Sequence, residues 1–295
     1  MRYVEPIFRP GPTESNSYLL QVTIGCSHNL CTFCSFFKNK PFYTRPFEEI
    51  VEDLKMARQY YRHDPPVFLL DGQPTYLSMD ELRPILEKIQ ETFPNSPHTN
   101  MYARFGDIYK NYTTEDIMEL KRLNVKQLYT SLESGSDKVL RKIRKGNPQK
   151  VIFEAARRLN EAEMNFGGGI ILGLGGVEDS EEHVRETIRV LNEIKPTSVG
   201  MMTLNPQIGT PLYEDIIKGE FELPTYRDIL REEREILEGL EFERPTLIWA
   251  GGFLPGSMPI TGYFPEDKEK ILNAIRMRPF PERLLDEKLM LNGGL

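Results

Sequence analysis

The most informative stretch of this chain is Ser17–Cys34, which reads SYLLQVTIGCSHNLCTFC. It opens with an apolar run that predicts a β-strand over Ser17–Ile24, and it ends with a loop that holds all three cysteines of the 295-residue chain. Iron–sulfur clusters are held by cysteine thiolates, normally four of them. Three thiolates on one short loop can therefore hold a cluster whose remaining iron is open to a small molecule.

Two other uses of these cysteines follow from the residues alone. His28 lies inside the same loop, so a zinc site with three cysteines and one histidine is an alternative. Structural zinc usually takes its ligands as two pairs from separate segments, which makes this arrangement the less favoured one. A disulfide framework is disfavoured further, because the cysteine count is odd and neither a signal peptide nor a second cysteine cluster is evident.

At Cys26, Cys31 and Cys34, with Phe33 before the last cysteine, the chain resembles the radical S-adenosylmethionine (SAM) enzymes. The resemblance implies a [4Fe–4S] cluster on the three cysteines, with its open iron chelated by the amino and carboxylate groups of SAM. It also implies that Phe33 packs near the adenine. The chain departs from the commonest family spacing, because Ser27–Leu30 puts four residues rather than three between the first two cysteines.

The composition and the lack of a long apolar run predict a cytoplasmic protein. With 39% hydrophobic and 27% charged residues, the composition is that of an ordinary soluble globular protein long enough to bury one large core. No apolar run reaches the roughly 18 to 20 residues of a membrane span. The net charge of −7 gives no general attraction to nucleic acid. A local basic patch can still contact RNA, although an exposed or SAM-facing helix is the favoured interpretation of its residues, Arg141, Lys142, Arg144 and Lys145.

Strand-like and helix-like segments alternate six times along the chain, which requires parallel strands, right-handed crossovers and thus a βα barrel. After the first strand we expect strands at Val67–Leu70, Met101–Phe105, Gln127–Leu132, Phe166–Leu172 and Ser198–Leu204. We expect helices at Phe47–Tyr61, Met79–Thr92, Thr114–Leu123, Asp137–Arg144, Gln149–Glu161 and Ser180–Ile194, and a short one near Leu212.

Beyond about Leu212 the pattern changes to a Glu- and Arg-rich helix, Tyr226–Leu240, then a Gly- and Pro-rich stretch, then a last helix, Glu266–Ile275. We therefore expect an α/β protein in which residues 1–212 form a partial (β/α)6 TIM-like barrel carrying the cluster loop 26–34. Residues 213–295 are expected to form a C-terminal helical extension packed on this core. The radical SAM core is itself a six-unit partial barrel, so the resemblance and the pattern predict the same fold.

The strand ends supply further candidate contacts to SAM, because barrel enzymes place their chemistry there. The resemblance implies that Gly72 and Gln73 occupy the segment whose backbone carbonyl accepts a hydrogen bond from the SAM amino group. Arg104, ending the third strand, can pair with the SAM carboxylate, and Glu133, ending the fourth, can bind the ribose hydroxyls or the ammonium group. Lys145 matches the basic residue that reaches the methionine carboxylate in the branch containing anaerobic coproporphyrinogen dehydrogenases and tRNA methylthiotransferases.

Two more positions complete the predicted cofactor site. Gly173 lies in the glycine-rich end of the fifth strand, where the absence of a side chain lets adenine approach the backbone. Leu204 begins the segment that closes the sixth strand. The resemblance covers roughly Ser17–Tyr213, about two thirds of the chain.

The resemblance implies that an external one-electron donor of the flavodoxin or ferredoxin type reduces the cluster, and that SAM is cleaved to a 5'-deoxyadenosyl radical. This radical is expected to take a hydrogen atom from a substrate, which we expect to be a small molecule. The absence of further cysteines disfavours methylthiotransferases, which carry a second cluster. Two alternatives stay open: a radical SAM enzyme that modifies tRNA, and a non-catalytic protein that binds zinc through the cysteine loop.

Overall fold

The computed structural model describes residues 2–255 and 258–289 and has the expected α/β class, with mostly parallel strand pairs. Its strands are β1 (Tyr18–Gln21), β2 (Thr23–Ile24), β3 (Tyr43–Thr44), β4 (Val67–Leu70), β5 (Thr99–Ala103), β6 (Val125–Glu133), β7 (Asn165–Phe166), β8 (Gly169–Leu172), β9 (Ser198–Thr203), β10 (Thr246–Gly252) and β11 (Ile260–Phe264). Its helices are α1 (Phe47–Tyr60), α2 (Met79–Thr92), α3 (Phe105–Asn111), α4 (Thr114–Arg122), α5 (Asp137–Lys142), α6 (Gln149–Glu161), α7 (Ser180–Ile194), α8 (Pro211–Ile217), α9 (Tyr226–Gly239), α10 (Lys268–Arg276) and α11 (Glu282–Leu285). Within these ranges no helix is long and apolar enough to cross a membrane.

The chain divides into two compact units. The first comprises Met1–Asn29, Phe36–Thr130 and Glu154–Phe166, and the second comprises Leu30–Ser35, Ser131–Phe153 and Gly167–Leu295. The division passes through the cysteine loop, so that Cys26 belongs to the first unit, and Cys31 and Cys34 belong to the second. The expected domains, residues 1–212 and 213–295, stay a prediction.

The first unit is built on a parallel sheet. Strands β1, β4, β5 and β6 pair in that order, and β7 adds beside β6. Strand β4 is buried at all four residues, as is typical of a parallel strand covered on both faces. Helices α1 and α2 pack against each other and bury Ile50, Leu54 and Leu86. Helix α2 begins at a capping box in which the Ser78 backbone N–H donates to the Glu81 carboxylate at 2.8 Å.

The second unit continues from the end of β6. This end pairs with β8, and β8, β9 and β10 pair in parallel, while β11 pairs with β10 in antiparallel fashion. Helix α9 packs against α7 and α10 and buries two carboxylates, Glu232 and Glu233. Arg278 pairs with Glu233 at 2.6 Å, and both side chains are almost fully buried. Because a buried charge is tolerated only when it is paired, this contact ties the segment after α10 to α9.

The predicted bounds of three helices are confirmed. Helices α2, α6 and α7 begin and end at the predicted residues. The expected first strand instead divides at Val22, because Thr23–Ile24 pairs with β3. The prediction that Arg104 ends the third strand was wrong, since β5 ends at Ala103 and Arg104 is the N-cap of α3, a helix that the periodicity did not indicate.

The C-terminal part also contains more strand than expected. The stretch predicted only as Gly- and Pro-rich holds β10 and β11. Strand β10 reads TLIWAGG, and its buried positions alternate before the final glycines. Its apolar residues therefore carried a strand signal that the neighbouring glycines and prolines concealed.

Candidate cofactor-binding residues

In the first unit, Cys26 is positioned by the loop that follows β4. The Gly25 N–H donates to the Asp71 carboxylate at 3.1 Å, and Gly25 adopts a φ of +72° that favours glycine. Gly72 packs directly on this segment, since a Cβ on Gly72 would lie 2.3 Å from the Gly25 carbonyl oxygen and 2.8 Å from the Cys26 Cα. Gly72 is thus required by close backbone packing against the first cysteine.

Asp71 is the polar centre of this loop. Its Oδ2 accepts from the Gly25 N–H and from Lys40 Nζ, which lies 2.5 Å away, and both side chains of this ion pair are buried. Burial raises the pKa of the Asp71 carboxyl, and the hydrogen bonds from Lys40 and Gly25 oppose that rise. The other oxygen, Oδ1, is buried and has no partner among the described residues.

Gln73 presents a second unsatisfied acceptor in the same loop. Its Nε2 donates to the Ser27 hydroxyl, while its buried Oε1 has no partner among the residues that the structure describes. Buried oxygens without donors cost free energy unless a ligand supplies the missing hydrogen. Asp71 Oδ1 and Gln73 Oε1 therefore fit a cofactor that carries hydrogen-bond donors, such as the ammonium group of SAM.

In the second unit, the later part of the cysteine loop is fixed by its backbone. The Thr32 N–H donates to the Ile143 carbonyl at 2.9 Å, and the Leu212 N–H donates to the Thr32 carbonyl at 3.0 Å. Cys31, Phe33 and Cys34 flank this anchor and are half-buried. None of the three cysteines is in a disulfide, and over residues 2–255 and 258–289 no His, Cys, Asp or Glu group of three or more is arranged to hold a metal ion. Their role as cluster ligands stays a prediction.

The structure brings Glu133 and Lys145 together, which the sequence did not predict. Lys145 Nζ lies 2.7 Å from Glu133 Oε1 and 2.9 Å from the Ser131 hydroxyl, and both charged side chains are buried. Glu133 adopts a left-handed φ of +64°, which is strained for a residue with a side chain. Its second oxygen, Oε2, is buried without a partner among the described residues. The pair thus presents an acceptor that suits a ribose hydroxyl.

Glu232 is a functional candidate that sequence reasoning missed. It reaches from α9 to the glycine-rich end of β8, where its carboxylate accepts from the Gly173 N–H at 2.7 Å and from the Ser180 hydroxyl at 2.6 Å. Gly173 has a φ of +81°, and a Cβ there would lie 2.6 Å from Ile229. The sequence feature that could have indicated this role is the position of the glutamate on the buried stripe of α9, between Ile229 and Ile236.

The remaining two predicted contacts are placed by backbone interactions. Leu204 is buried, and its N–H donates to the Leu172 carbonyl at 2.9 Å. The Arg104 N–H donates to the Thr75 hydroxyl at 3.2 Å, and its guanidinium lies 3.9 Å from the Asp107 carboxylate. Arg104 therefore has an acidic neighbour within its own unit, and its role toward SAM stays a prediction.

A model of the family described as the radical SAM superfamily matches residues 20–191, which is more than half of the chain and includes all three cysteines. The chain belongs to the radical SAM superfamily. It is therefore an enzyme of the radical SAM type, and the predicted cofactors, a [4Fe–4S] cluster and SAM, are those of this superfamily.

Two curated relatives are similar to this chain over most of its length. The tRNA-2-methylthio-N(6)-dimethylallyladenosine synthase of Tropheryma whipplei (strain Twist) is 26% identical over 274 residues, covering 84% of this chain and 54% of the relative. The heme chaperone HemW of Bacillus subtilis (strain 168) is 24% identical over 207 residues, covering 68% and 53%. This radical SAM chain thus spans about half the length of these relatives.

Solved structures show the same fold. The radical SAM enzyme coproporphyrinogen III oxidase (HemN) from Escherichia coli superposes with a TM-score of 0.52 at 16% sequence identity, over 75% of this chain and 50% of HemN. At this identity the likeness shows the fold alone. The predicted fold class, a partial TIM-like barrel, is confirmed.

The packing of Gly72 predicts a strong effect of a single methyl group. In Gly72→Ala the new Cβ meets backbone atoms of Gly25 and Cys26, so the cysteine segment must shift. We expect the free energy of unfolding to fall by about 1 to 3 kcal/mol, measured by urea denaturation. We also expect less iron per chain after anaerobic reconstitution. Gly200→Ala is the matched control, because a Cβ there meets nothing within 4 Å; equal behaviour of the two variants would refute the packing argument.

The carboxyl of Glu232 predicts a pH-dependent stability. Burial raises the pKa of Glu232 from 4.5 to about 7, against the opposing hydrogen bonds from Ser180 and Gly173. The folded state therefore binds the extra proton between these values, and stability falls as the pH rises through this window. We expect wild type to lose up to about 3 kcal/mol relative to Glu232→Gln between pH 4.5 and pH 8. Parallel pH profiles of the two proteins in urea denaturation would contradict this.

Proposed function

We propose that this radical SAM enzyme uses SAM and a [4Fe–4S] cluster on Cys26, Cys31 and Cys34 to generate a 5'-deoxyadenosyl radical, which abstracts a hydrogen atom from a small-molecule substrate. The observation that carries the proposal is the loop after β4, where Gly72 packs on Cys26 beside two buried, unsatisfied acceptors. The thiolates of Cys26, Cys31 and Cys34 would hold the cluster, which would supply the electron for reductive cleavage of SAM.

The first unit supplies acceptors for the amino group of SAM. Asp71 Oδ1 and Gln73 Oε1 are both buried and unsatisfied within the described residues. Lys40 and Gly25 already occupy Asp71 Oδ2, which fixes the orientation of the carboxylate and leaves Oδ1 for the ligand. A preorganised acceptor of this kind binds an ammonium group without the cost of ordering a side chain.

Within the second unit, Glu133 and Lys145 are the proposed contacts to SAM. Glu133 Oε2 is a buried acceptor that fits a ribose hydroxyl, and Lys145 holds the Glu133 carboxylate through its other oxygen. Lys145 can meet the SAM carboxylate as a point charge rather than through the bidentate fork of an arginine. The contact of Gly173 with the adenine stays a prediction, because Gly173 is buried against Ile229 and its N–H is held by Glu232.

The electron must come from outside the chain, and we propose a flavodoxin- or ferredoxin-type donor as the partner.

A tRNA substrate is the second candidate, since the relative named as a tRNA-2-methylthio-N(6)-dimethylallyladenosine synthase matches 84% of this chain. The sequence has no cysteines beyond the loop to hold another cluster, which favours the small-molecule substrate.

The decisive experiment is anaerobic reconstitution with iron and sulfide, reduction with dithionite and addition of SAM, followed by chromatographic detection of 5'-deoxyadenosine. We expect the product from wild type and its loss in Cys26→Ala, Cys31→Ala and Cys34→Ala, together with loss of the broad absorbance near about 400 nm of a thiolate-bound cluster.

The control for this experiment is His28→Ala, which removes the one histidine of the loop. It should keep its iron and its 5'-deoxyadenosine formation, because the cluster needs only the three thiolates. Zinc in place of iron in wild type, lost in His28→Ala, would instead establish the zinc-binding alternative.

A second prediction concerns Lys145. Replacing it with methionine removes a charge-assisted contact to SAM and leaves Glu133 without its partner, so we expect about 10- to 100-fold weaker SAM binding in anaerobic equilibrium dialysis. Lys145→Arg should recover much of that loss, because it keeps the positive charge. Lys138→Met is the control, because Lys138 is exposed and pairs with Asp179. Unchanged SAM affinity in Lys145→Met would remove this residue from the site.

A further inference from the structure

The second unit carries a groove between α9 and the segment that follows α10. Its volume is about 560 Å³, within the range of ligand-binding clefts. Five arginines contribute to its lining: Arg227, Arg231, Arg234, Arg276 and Arg278. The rest of the lining is apolar, with Phe280 as its aromatic residue. We call this feature the arginine groove.

The charge of the arginine groove is opposite to that of the chain. The chain has a net charge of −7, yet within the described residues no acidic side chain lines the groove. The carboxylates that pair with four of the arginines approach from outside the lining; they are Asp286 with Arg227, Asp228 with Arg231, Glu238 with Arg276, and Glu233 with Arg278. These ion pairs compensate four of the five charges, so the uncompensated positive charge of the groove is that of Arg234.

Arg234 is the clearest indication of an external ligand. Its side chain is exposed, and it has no hydrogen bond or ion pair to any residue that the structure describes. The pairs of Arg227 and Arg276 involve exposed carboxylates, 81% and 41% accessible, which water and salt screen. An anion can therefore bind at Arg234 and share the neighbouring guanidinium groups at little cost in lost ion pairs.

The spacing of the arginines indicates the shape of the anion. Arg227, Arg231 and Arg234 lie at i, i+4 and i+7 on one face of α9, so they form a row about 10 Å long. This row is longer than a single phosphate group and matches consecutive phosphates of a strand. Arginine forks bind phosphate oxygens in a bidentate way, and an aromatic side chain such as Phe280 can stack with a base.

We propose that the arginine groove binds a single-stranded segment of nucleic acid, with successive phosphates along α9 and a base against Phe280. The proposal is independent of the reaction at the cofactor, because none of the groove residues belongs to the proposed SAM site. It gives this acidic chain a local surface for RNA that its net charge conceals.

The test is equilibrium binding of a fluorescein-labelled 12-nucleotide RNA to the reconstituted holoenzyme, saturated with SAM, by anisotropy at several salt concentrations. The double variant Arg227→Gln/Arg234→Gln should raise Kd at least about tenfold near 0.1 M salt. Each arginine that contacts a phosphate should also contribute about 0.7 to the slope of log Kd against log salt concentration, so the slope should fall by about 1.4 in the double variant. Phe280→Leu should weaken binding with the slope unchanged, because stacking releases no counterions.

The matched control is Arg83→Gln/Arg157→Gln, which removes the same charge from α2 and α6 of the first unit, where both arginines pair with acids outside the groove. Its Kd and slope should stay at the wild-type values. Equal losses in the two double variants, or no binding by wild type, would overturn the proposal.

Two further measurements distinguish binding of an RNA strand from binding of a free nucleotide and from an effect on SAM cleavage. Displacement of the RNA by AMP at an equal nucleotide concentration would show a site for a free nucleotide and would overturn the strand assignment. Formation of 5'-deoxyadenosine should be unchanged in Arg227→Gln/Arg234→Gln, so a failure of RNA binding and a failure of SAM cleavage are observed independently.

Discussion

The close packing of Gly72 against Gly25 and Cys26 is the constraint on which the predicted chemistry depends. Backbone atoms of two loops approach so closely there that any side chain at position 72 would collide with the first cysteine segment. The Asp71 carboxylate adds a hydrogen bond to the Gly25 N–H, so the same loop that packs on the cysteine also orients it. The position of the first thiol is therefore set by the loop after β4 as much as by its own strand.

The structure buries polar groups that lack hydrogen-bond partners among the described residues, which is rare in folded proteins. Lys40 and Asp71 form a buried ion pair, and one oxygen each of Asp71, Gln73 and Glu133 is buried without a partner in the described part of the chain. Such groups destabilise the folded state by about 1 to 3 kcal/mol each when no donor reaches them. Buried polar groups without partners are expected at functional sites, because a bound ligand supplies the missing hydrogen bonds.

The sequence predicted the features that follow from local signals. Helices α2, α6 and α7 match their predicted bounds, and the cysteine loop indicated the family that the comparison then established. The sequence did not predict the Glu133–Lys145 pair. Glu133 adopts a left-handed backbone conformation, which hydrophobic periodicity does not indicate. Glu232 was missed for a related reason, since the apolar stripe of α9 predicts burial but not the backbone N–H that the carboxylate meets.

Helix α9 contributes both to the contacts of the buried Glu232 and to the lining of the arginine groove. On the buried side, Glu232 accepts from Gly173 at the end of β8 and from the Ser180 hydroxyl. On the groove side, Arg231 donates to that same Ser180 hydroxyl at 3.2 Å. A hydrogen-bond chain therefore runs from the arginine groove through Ser180 and Glu232 to the glycine proposed to border the adenine. Because every member is a direct contact within one unit, a ligand that reorients Arg231 can shift the Ser180 hydroxyl that donates to Glu232.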